Sequence, residues 1–492
     1  MGFKDIFRRG KRSNRRTPPD LRRRLFTAAE LSRLTNSWTS SPQTINEVLK
    51  SELKTLRARS REQAINNDYA KRFVNLVDGN VIGPFGMRLD PDVRFPGRAR
   101  KPDAAANRAI LAAWKKWGRP ENCDLAQNLS WLEMQHLAVR TMAIDGEAIF
   151  IEHDGGNSWF ALQSIDPELL DVELNVDLGN GSRITMGVET DAIGRVVAYH
   201  FIDNGGDPAT YYPTGRMYKR VPAKNVRHLF LREFPGQLRG IPWMSASLLT
   251  LRNVDEYSEA ALINARLGAV KNPIITSETG QFIGDDVDED GNPVIDIGEP
   301  GEPWLLPDGY GVDTYDPTYP SGEYGDFIKQ HLRRVASGLG VSYNTWANDL
   351  EGVNYSSLRQ GALDERDVWM VLQEFVIGRL VAPVYERWLW LSLLGGYITF
   401  GDTPASTDRY DSYLNVIWRP RRWKWVDPLK EVNANAKAIE TGITSRTRVA
   451  SEQGVDFADI IDELARERQL MQDAGLLPAS KESDANVQQN QG

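Results

Sequence analysis

The hydrophobic pattern is densest between Tyr324 and Leu394. Ile328, Leu332, Val335 and Leu339 recur at steps of four, three and four, one apolar stripe at helical period. Lys329, Arg333 and Arg334 fall off that stripe and must face something polar. Gly338 and Gly340 loosen its end, and Val341 to Tyr355 carries turn residues (Asn344, Asn348, Gly352, Asn354) without a sustained period. A second helix is predicted from Ser356, with Leu358, Leu372, Phe375, Val376, Leu380, Val384, Trp388 and Leu391 making it strongly apolar. Pro383 lies mid-pattern, removes a backbone donor and predicts a kink. Nearly forty helical residues span about 55–60 Å, more than a small domain's width, so this helix reads as a strut.

Upstream, Ile45, Leu49, Leu53 and Leu56 predict a helix after Ser41-Pro42, and Ser60-Arg61-Glu62-Gln63 reads as a capping box that restarts it. Asn66-Asn67-Asp68 interrupts before a helix over Tyr69 to Val77. Asp103 can cap a helix carrying Ile110, Trp114 and Trp117, and Ser130 to Glu133 is another capping box, opening a helix that ends at Asp145-Gly146. The pattern then changes to strands. Ala148–Glu152 pairs with Trp159–Ser164, Ile184–Glu189 with Arg195–Ile202, and Val226–Leu231 follows, predicting a mixed sheet covered by the earlier helices. Met244 to Leu267 is the next long helix, with Met244, Leu248, Leu251, Val254, Tyr257, Ala261 and Ala265 on one stripe and Arg252, Asp255, Glu256 and Glu259 pointing elsewhere. Between the two long helices, residues 268–323 are rich in Gly and Pro, and Glu278 to Glu302 holds nine acids and no base. Tyr397 to Trp425 is short-stranded and aromatic, and after Asp427-Pro428 three helices are punctuated by Gly442, Gly454 and Gly475. The order predicts an α+β chain of more than one domain.

Charge changes the picture at the ends. Residues 1–24 hold ten Lys or Arg against Asp5 and Asp20, so a +8 head precedes a remainder of −16. Such an arm can track phosphates or an acidic partner, or stand as a solvated tail. Residues 1–40 and 479–492 have the composition of disordered segments. No uninterrupted apolar run reaches the roughly eighteen residues of a membrane span, and Val368 to Leu394 carries Glu374, Arg379, Glu386 and Arg387. The one cysteine, Cys123, excludes an internal disulfide and suits a reducing compartment.

Catalytic signatures are missing. No phosphate loop, dinucleotide fingerprint, zinc-ligand pair or nucleophile elbow occurs, and His136, His153, His200, His228 and His331 stand far apart. Asp286-Val287-Asp288-Glu289-Asp290-Gly291 matches the first half of a calcium loop, but Ile297 stands where the bidentate Glu is required. Trp418 to Trp425 interleaves Arg419, Arg421, Arg422 and Lys424 with aromatics, which could stack on single-stranded bases. Core packing with snorkelling arginines is the commoner use of such a stretch.

An ordered set of short blocks carries a family resemblance. They are Ala58-Arg59-Ser60-Arg61-Glu62 with Asn66 to Ala70, Asn80-Val81-Ile82-Gly83, Asp145-Gly146-Glu147-Ala148 and Ile165-Asp166-Pro167-Glu168, followed by Pro235 to Trp243, Leu306 to Tyr310, Asn354 to Arg359 and Trp425-Val426-Asp427-Pro428. Over roughly residues 55–475 the chain resembles the lambda-type portal, or head-to-tail connector, proteins of tailed bacteriophages. The resemblance implies a ring subunit, commonly one of twelve, at one capsid vertex in the virion, assembled in the host cytoplasm. It implies a wing over 41–243, stem helices over 244–267 and 324–340, and a clip over 268–323. It further implies a tunnel loop over 341–355, a kinked wing helix over 356–394, return strands over 395–426 and a crown over 427–478.

The implied partners are double-stranded DNA held without sequence preference, terminase, scaffold, major capsid protein and a head–tail adaptor. No catalytic residue, cofactor, metal or membrane is implied. Asn348, Asn354, Tyr355, Arg359, Lys329 and Arg333 are the implied DNA-facing positions. Asp255, Glu256, Glu259 and Arg334 are the implied contacts between subunits, and Asp285, Asp286, Asp288, Glu289 and Asp290 those of an adaptor-docking clip. A channel that passes DNA cannot hold it tightly, because each neutralised phosphate adds affinity; a net acidic body with few basic contacts suits sliding. Two other readings are a ringless minor capsid protein binding DNA through 1–24, and a metal-dependent nuclease using Asp286 and Asp288.

Overall fold

The computed structural model describes residues 42–95, 103–155, 160–207, 209–212, 215–270, 273–277, 310–314, 324–351, 355–400, 403–423, 428–452 and 457–476. Helices α1 (Ile45–Asn66) and α2 (Asp68–Val81) meet at Asn67, which ends the first and whose side chain accepts from Ala70 N to cap the second. The capping box of α1 is Thr44 with Glu47, not Ser60 with Gln63. Ser60 stays inside a continuous helix because its hydroxyl is used elsewhere, donating to Ile144 O at 2.5 Å. Strand β1 (Arg88–Pro91) precedes α3 (Ala104–Trp117), capped by Asp103. The short α4 (Pro120–Cys123) leads to α5 (Trp131–Asp145), which has the Ser130–Glu133 capping box and stops at Gly146, φ +86°.

The strands of two sheets follow. β2 (Glu147–Asp154) is the centre of a three-stranded sheet between β3 (Phe160–Ile165) and β9 (Val226–Phe230). β4 (Val176–Gly179), β5 (Ser182–Thr185), β6 (Val188–Thr190), β7 (Val196–Ile202) and β8 (Tyr218–Pro222) make a five-stranded meander. The expected mixed sheet is corrected here: every ladder among the described residues is antiparallel, with one isolated parallel bridge, Asp124 to Leu162. The expected single strand over Ile184–Glu189 is two, because Met186 (φ +50°) and Gly187 (φ +78°) make a two-residue hairpin turn of the kind that needs positive φ at both positions. Ile149, Ile151, Val188, Tyr199, Phe201 and Val221 pack the two sheets together.

Helix α6 runs from Leu248 to Val270, preceded by turns from Trp243 where the sequence had predicted helix. Strands β10 (Pro273–Ser277) and β11 (Tyr310–Thr314) pair antiparallel beyond it. Helix α7 (Tyr324–Leu339) returns, with Leu332, Val335 and Leu339 of its predicted stripe buried. The predicted loop over 341–355 contains a turn of helix, α8 (Tyr343–Ala347), fixed by burial of Trp346. The strut is three pieces: α9 (Tyr355–Val376), a π-helical turn over Ile377–Val381, and α10 (Ala382–Leu394). Pro383 has no N–H and its ring crowds the carbonyl four residues back, so the ladder widens just before it, with Ala382 N donating to Ile377 O. By length and composition Gln360–Leu394 could cross a membrane, yet Trp369, Val376, Leu380, Val384 and Trp388 lie in the main core. It is the central core helix.

The chain closes with β12 (Thr399–Phe400), β13 (Thr403–Pro404), α11 (Tyr410–Tyr413) and β14 (Val416–Arg419), the last paired with β1. Helices α12 (Pro428–Glu440), α13 (Arg446–Glu452) and α14 (Phe457–Asp473) match the three predicted. An aromatic knot locks α3, α5, α10 and β14 together. Trp114 stacks on Trp117 at 4.6 Å and meets Trp388 edge-on at 4.9 Å, with Trp131, Tyr385 and Trp418 around it. Trp418 is therefore core packing rather than a base-stacking platform. Trp388→Ala is expected to cost about 3–5 kcal/mol, from lost contact and the cavity left behind. Denaturant midpoints of the purified variant check this.

Candidate functional site

Three local constructions position the predicted functional residues. The first is the α6–α7 pair. Ser247 Oγ, at the root of α6, donates to Val335 O at 3.5 Å, while Tyr257 stacks on Tyr324 at 5.8 Å and meets Phe327 at 5.0 Å. The start of α6 thus meets the end of α7, and the helices are antiparallel. A Cβ on Gly338 would come within 2.5 Å of Ser247 Oγ, so a side chain there would displace that hydroxyl from Val335 O. Leu251, Val254, Leu332 and Val335 fill the seam. The charged faces turn outward: Asp255, Glu256, Glu259, Arg333 and Arg334 are all exposed. Glu256 pairs with Arg252 on its own helix at 2.7 Å, and no ion pair joins α6 to α7 among the described residues.

The second construction is the base of the predicted loop. Lys329 bridges to Asp349 Oδ2 at 2.8 Å, the Tyr343 hydroxyl donates to the same oxygen at 2.8 Å, and the Arg333 guanidinium lies 5.5 Å over the Tyr343 ring. Hydrogen bonds from Lys329, then from Tyr343 and the Glu351 amide, hold the Asp349 carboxyl down at about 2. Trp346 plugs the base into the core, its indole N–H donating to Tyr69 O at 2.9 Å. Glu365 on α9 accepts from Ser342 N at 3.0 Å. Asn348 ends α8 exposed in the left-handed region, φ +54°, which Asn tolerates. Lys329 and Arg333 are thereby placed together at this base, though both are engaged within the chain. Asn354 lies outside the described residues, and of Tyr355 and Arg359 only the helical backbone is described. Asp285, Asp286, Asp288, Glu289 and Asp290 also lie outside the described residues.

The third construction was not read as a charge cluster in the sequence. Glu147, fully buried, accepts from Arg57 at 2.7 Å, from Arg239 at 2.6 Å, from Gly240 N at 2.7 Å, and stands 3.0 Å from His228. Arg239 also donates to Leu170 O, Met186 O and Pro167 O. Beside it, Arg61 bridges Asp145 and Asp166, each at 2.7 Å. Burial alone would raise the Glu147 carboxyl, but Arg239, Arg57 and His228 outweigh it and hold it well below its ordinary value. Burial pushes the His228 imidazole down, against the upward pull of Glu147. The available signal was positional: the resemblance blocks containing Arg61, Glu147, Asp166 and Arg239 all converge on this centre.

Helices over antiparallel sheets, a long antiparallel helix pair and a braced turn ahead of a long kinked helix thus carry the three constructions. The chain belongs to the lambda family of phage portal proteins, whose model matches residues 31–373. It is 36% identical over 457 residues to the "Probable portal protein" of Halomonas phage phiHAP-1, covering 90% of this chain and 86% of that protein. Portal protein B of Escherichia phage lambda is 22% identical over 478 residues, covering 90% and 88%. Among solved structures, a chain in the neck of an empty gene transfer agent particle computed with C6 symmetry aligns with a TM-score of 0.44 at 15% identity, covering 82% of this chain and 94% of that one.

Two outcomes are expected. Glu147→Gln leaves Arg57 and Arg239 buried without a counter-charge and should cost about 3–5 kcal/mol. Because the folded carboxyl titrates below its unfolded value near 4.5, its contribution is full above that pH and is lost as pH falls below it. Acid unfolding curves of wild type and variant should therefore differ most above about pH 4.5 and converge below. Asp349→Asn should leave the fold intact but speed amide exchange across 343–351, whereas in the wild type this protection persists on acidification well below the ordinary carboxylate range, towards about 2.

Proposed function

We propose that copies of this chain close into a ring, of twelve as is common in the family, at one vertex of the capsid. Double-stranded DNA enters and leaves through its bore. The observation that carries this reading is the α6–α7 pair in a chain of this family: beyond its own seam and its packing on α1 and α8, it turns charged residues and Leu249, Leu262 and Ile263 outward. Such a pair is finished by neighbours on either side. In this reading Asn348, Asn354, Tyr355, Arg359, Lys329 and Arg333 border the bore, and duplex passes by weak, salt-screened contacts with no base readout. Asp255, Glu256, Glu259 and Arg334 meet neighbouring subunits. The acidic stretch with Asp285, Asp286, Asp288, Glu289 and Asp290 receives the adaptor, and terminase, scaffold and major capsid protein dock on the ring, which stays in the virion after assembly in the host cytoplasm. The subunit performs no chemistry; the energy for translocation comes from the terminase.

Native mass spectrometry of the purified chain should show a closed oligomer of uniform mass, with an open bore in electron micrographs; a monomer under assembly conditions refutes the ring. Deleting 268–323 should leave rings but abolish tail joining. Infectious particles from that deletion would refute the docking role of this stretch.

A further inference from the structure

The cleft between α1 and the root of α6 is unfinished within one chain. It encloses about 330 Å3, walled by Leu56, Arg59 and Gln63 on one side and Leu249, Arg252 and Glu256 on the other. Gln63 is 7% exposed, yet its Oε1 has no hydrogen-bond partner. A buried amide oxygen left unpaired costs free energy and calls for a donor. Leu249 stands at the rim, 72% exposed. Glu62, also lining the cleft, is exposed; it interacts electrostatically with Arg252 but makes no salt bridge among the described residues.

The matching donor is on α7. By helical spacing Arg334 lies on the side opposite the buried stripe of Leu332, Val335 and Leu339, so it faces away from its own α6. It is exposed and has no partner among the described residues, whereas Arg333 is engaged over Tyr343. The cleft uses the α6 face that carries Leu249, Arg252 and Glu256, while the intrachain seam uses Leu251 and Val254. One chain therefore presents the cleft, with Arg59 and Arg252 in its walls, on one flank and the unpaired Arg334 on the other, and cannot join them itself. We propose that the α1–α6 cleft receives α7 of a second copy, with the partner's Arg334 donating to Gln63 Oε1 and lying between Glu62 and Glu256. A guanidinium suits the task because its planar fork can serve an amide oxygen and a carboxylate together. Docking also covers Leu249. The contact is head-to-tail, which closes into a ring when the rotation between copies permits. The inference rests on the ring reading and names the side chains that join neighbours.

The test uses the full chain. Wild type should form rings, while Arg334→Glu and Glu62→Arg should each lower the ring fraction at fixed concentration by about tenfold or more, with the melting profile of the monomer unchanged. Combining the two reversals should restore rings. Independently, protein carrying only Glu62→Cys, mixed with protein carrying only Arg334→Cys, should give disulfide-linked dimers under oxidation, and neither alone should; the native Cys123 is buried. Rings at wild-type yield from Arg334→Glu, or rings without cross-links in the mixture, overturn the cleft assignment and leave the ring standing. A wild type that never forms rings overturns both.

Discussion

The packing of α1 against the sheets depends on one desolvated carboxylate. Glu147 lies where no water reaches it, and transfer of such a charge from water costs several kcal/mol unless partners replace the lost solvation. Here they do: Arg57 comes from α1, His228 from β9, and Arg239 and the Gly240 amide from the segment that leads into α6. Arg239 passes the constraint on to the carbonyls of Pro167, Leu170 and Met186. One ion thus fixes three separate lengths of chain to the start of β2, and Arg239 adds two more. Gly146 and Gly240 let the backbones close around it, since a Cβ on Gly240 would come within 2.1 Å of Gly146 O. The root of the helix pair is set by this centre, because the chain enters α6 directly from Arg239 and Gly240.

The local elements were legible where one residue type does one job. Asp103, Ser130 with Glu133, and Gly146 mark helix ends by chemistry that needs no tertiary partner, and they stand where expected. Stripes at helical spacing placed α6 and α7 to within a turn. Misreadings arose where a residue had two uses. Ser60 followed by Glu62 and Gln63 resembles a helix start, but its hydroxyl serves the Ile144 carbonyl of α5. Met186-Gly187 looks like the middle of a strand, because Met gives no turn signal. Of the site, the sequence identified charged residues on the helix pair but not their partners: that Lys329 is neutralised by Asp349, or that Glu147 gathers two arginines, is a fact of three-dimensional proximity.

The α6–α7 pair and the turn that follows it are held in different ways. The helix pair is held by a dry seam and a close crossing at Gly338, which resist sliding. The base of the loop is held by a buried indole and by a carboxylate shared between a lysine and a tyrosine hydroxyl. Asn348 turns the chain outward directly beyond Trp346, with Glu365 on α9 gripping the other side of the base. The turn around Trp346 thereby ties α7, through Lys329, to α9, through Glu365.

The π-helical turn in the strut has a consequence for how the core is reached. Val376, Leu380, Val384 and Trp388 are spaced four apart, and in a straight α-helix each such step rotates the side chain by about 40°. After three steps the row would have wound about a third of the way round the helix, carrying Trp388 away from Trp114 and Trp117. The wider turn over Ile377–Val381 takes up one extra residue and unwinds much of that drift. Proline in this helix therefore acts as a phase corrector, keeping both halves of a long rod against the same aromatic knot.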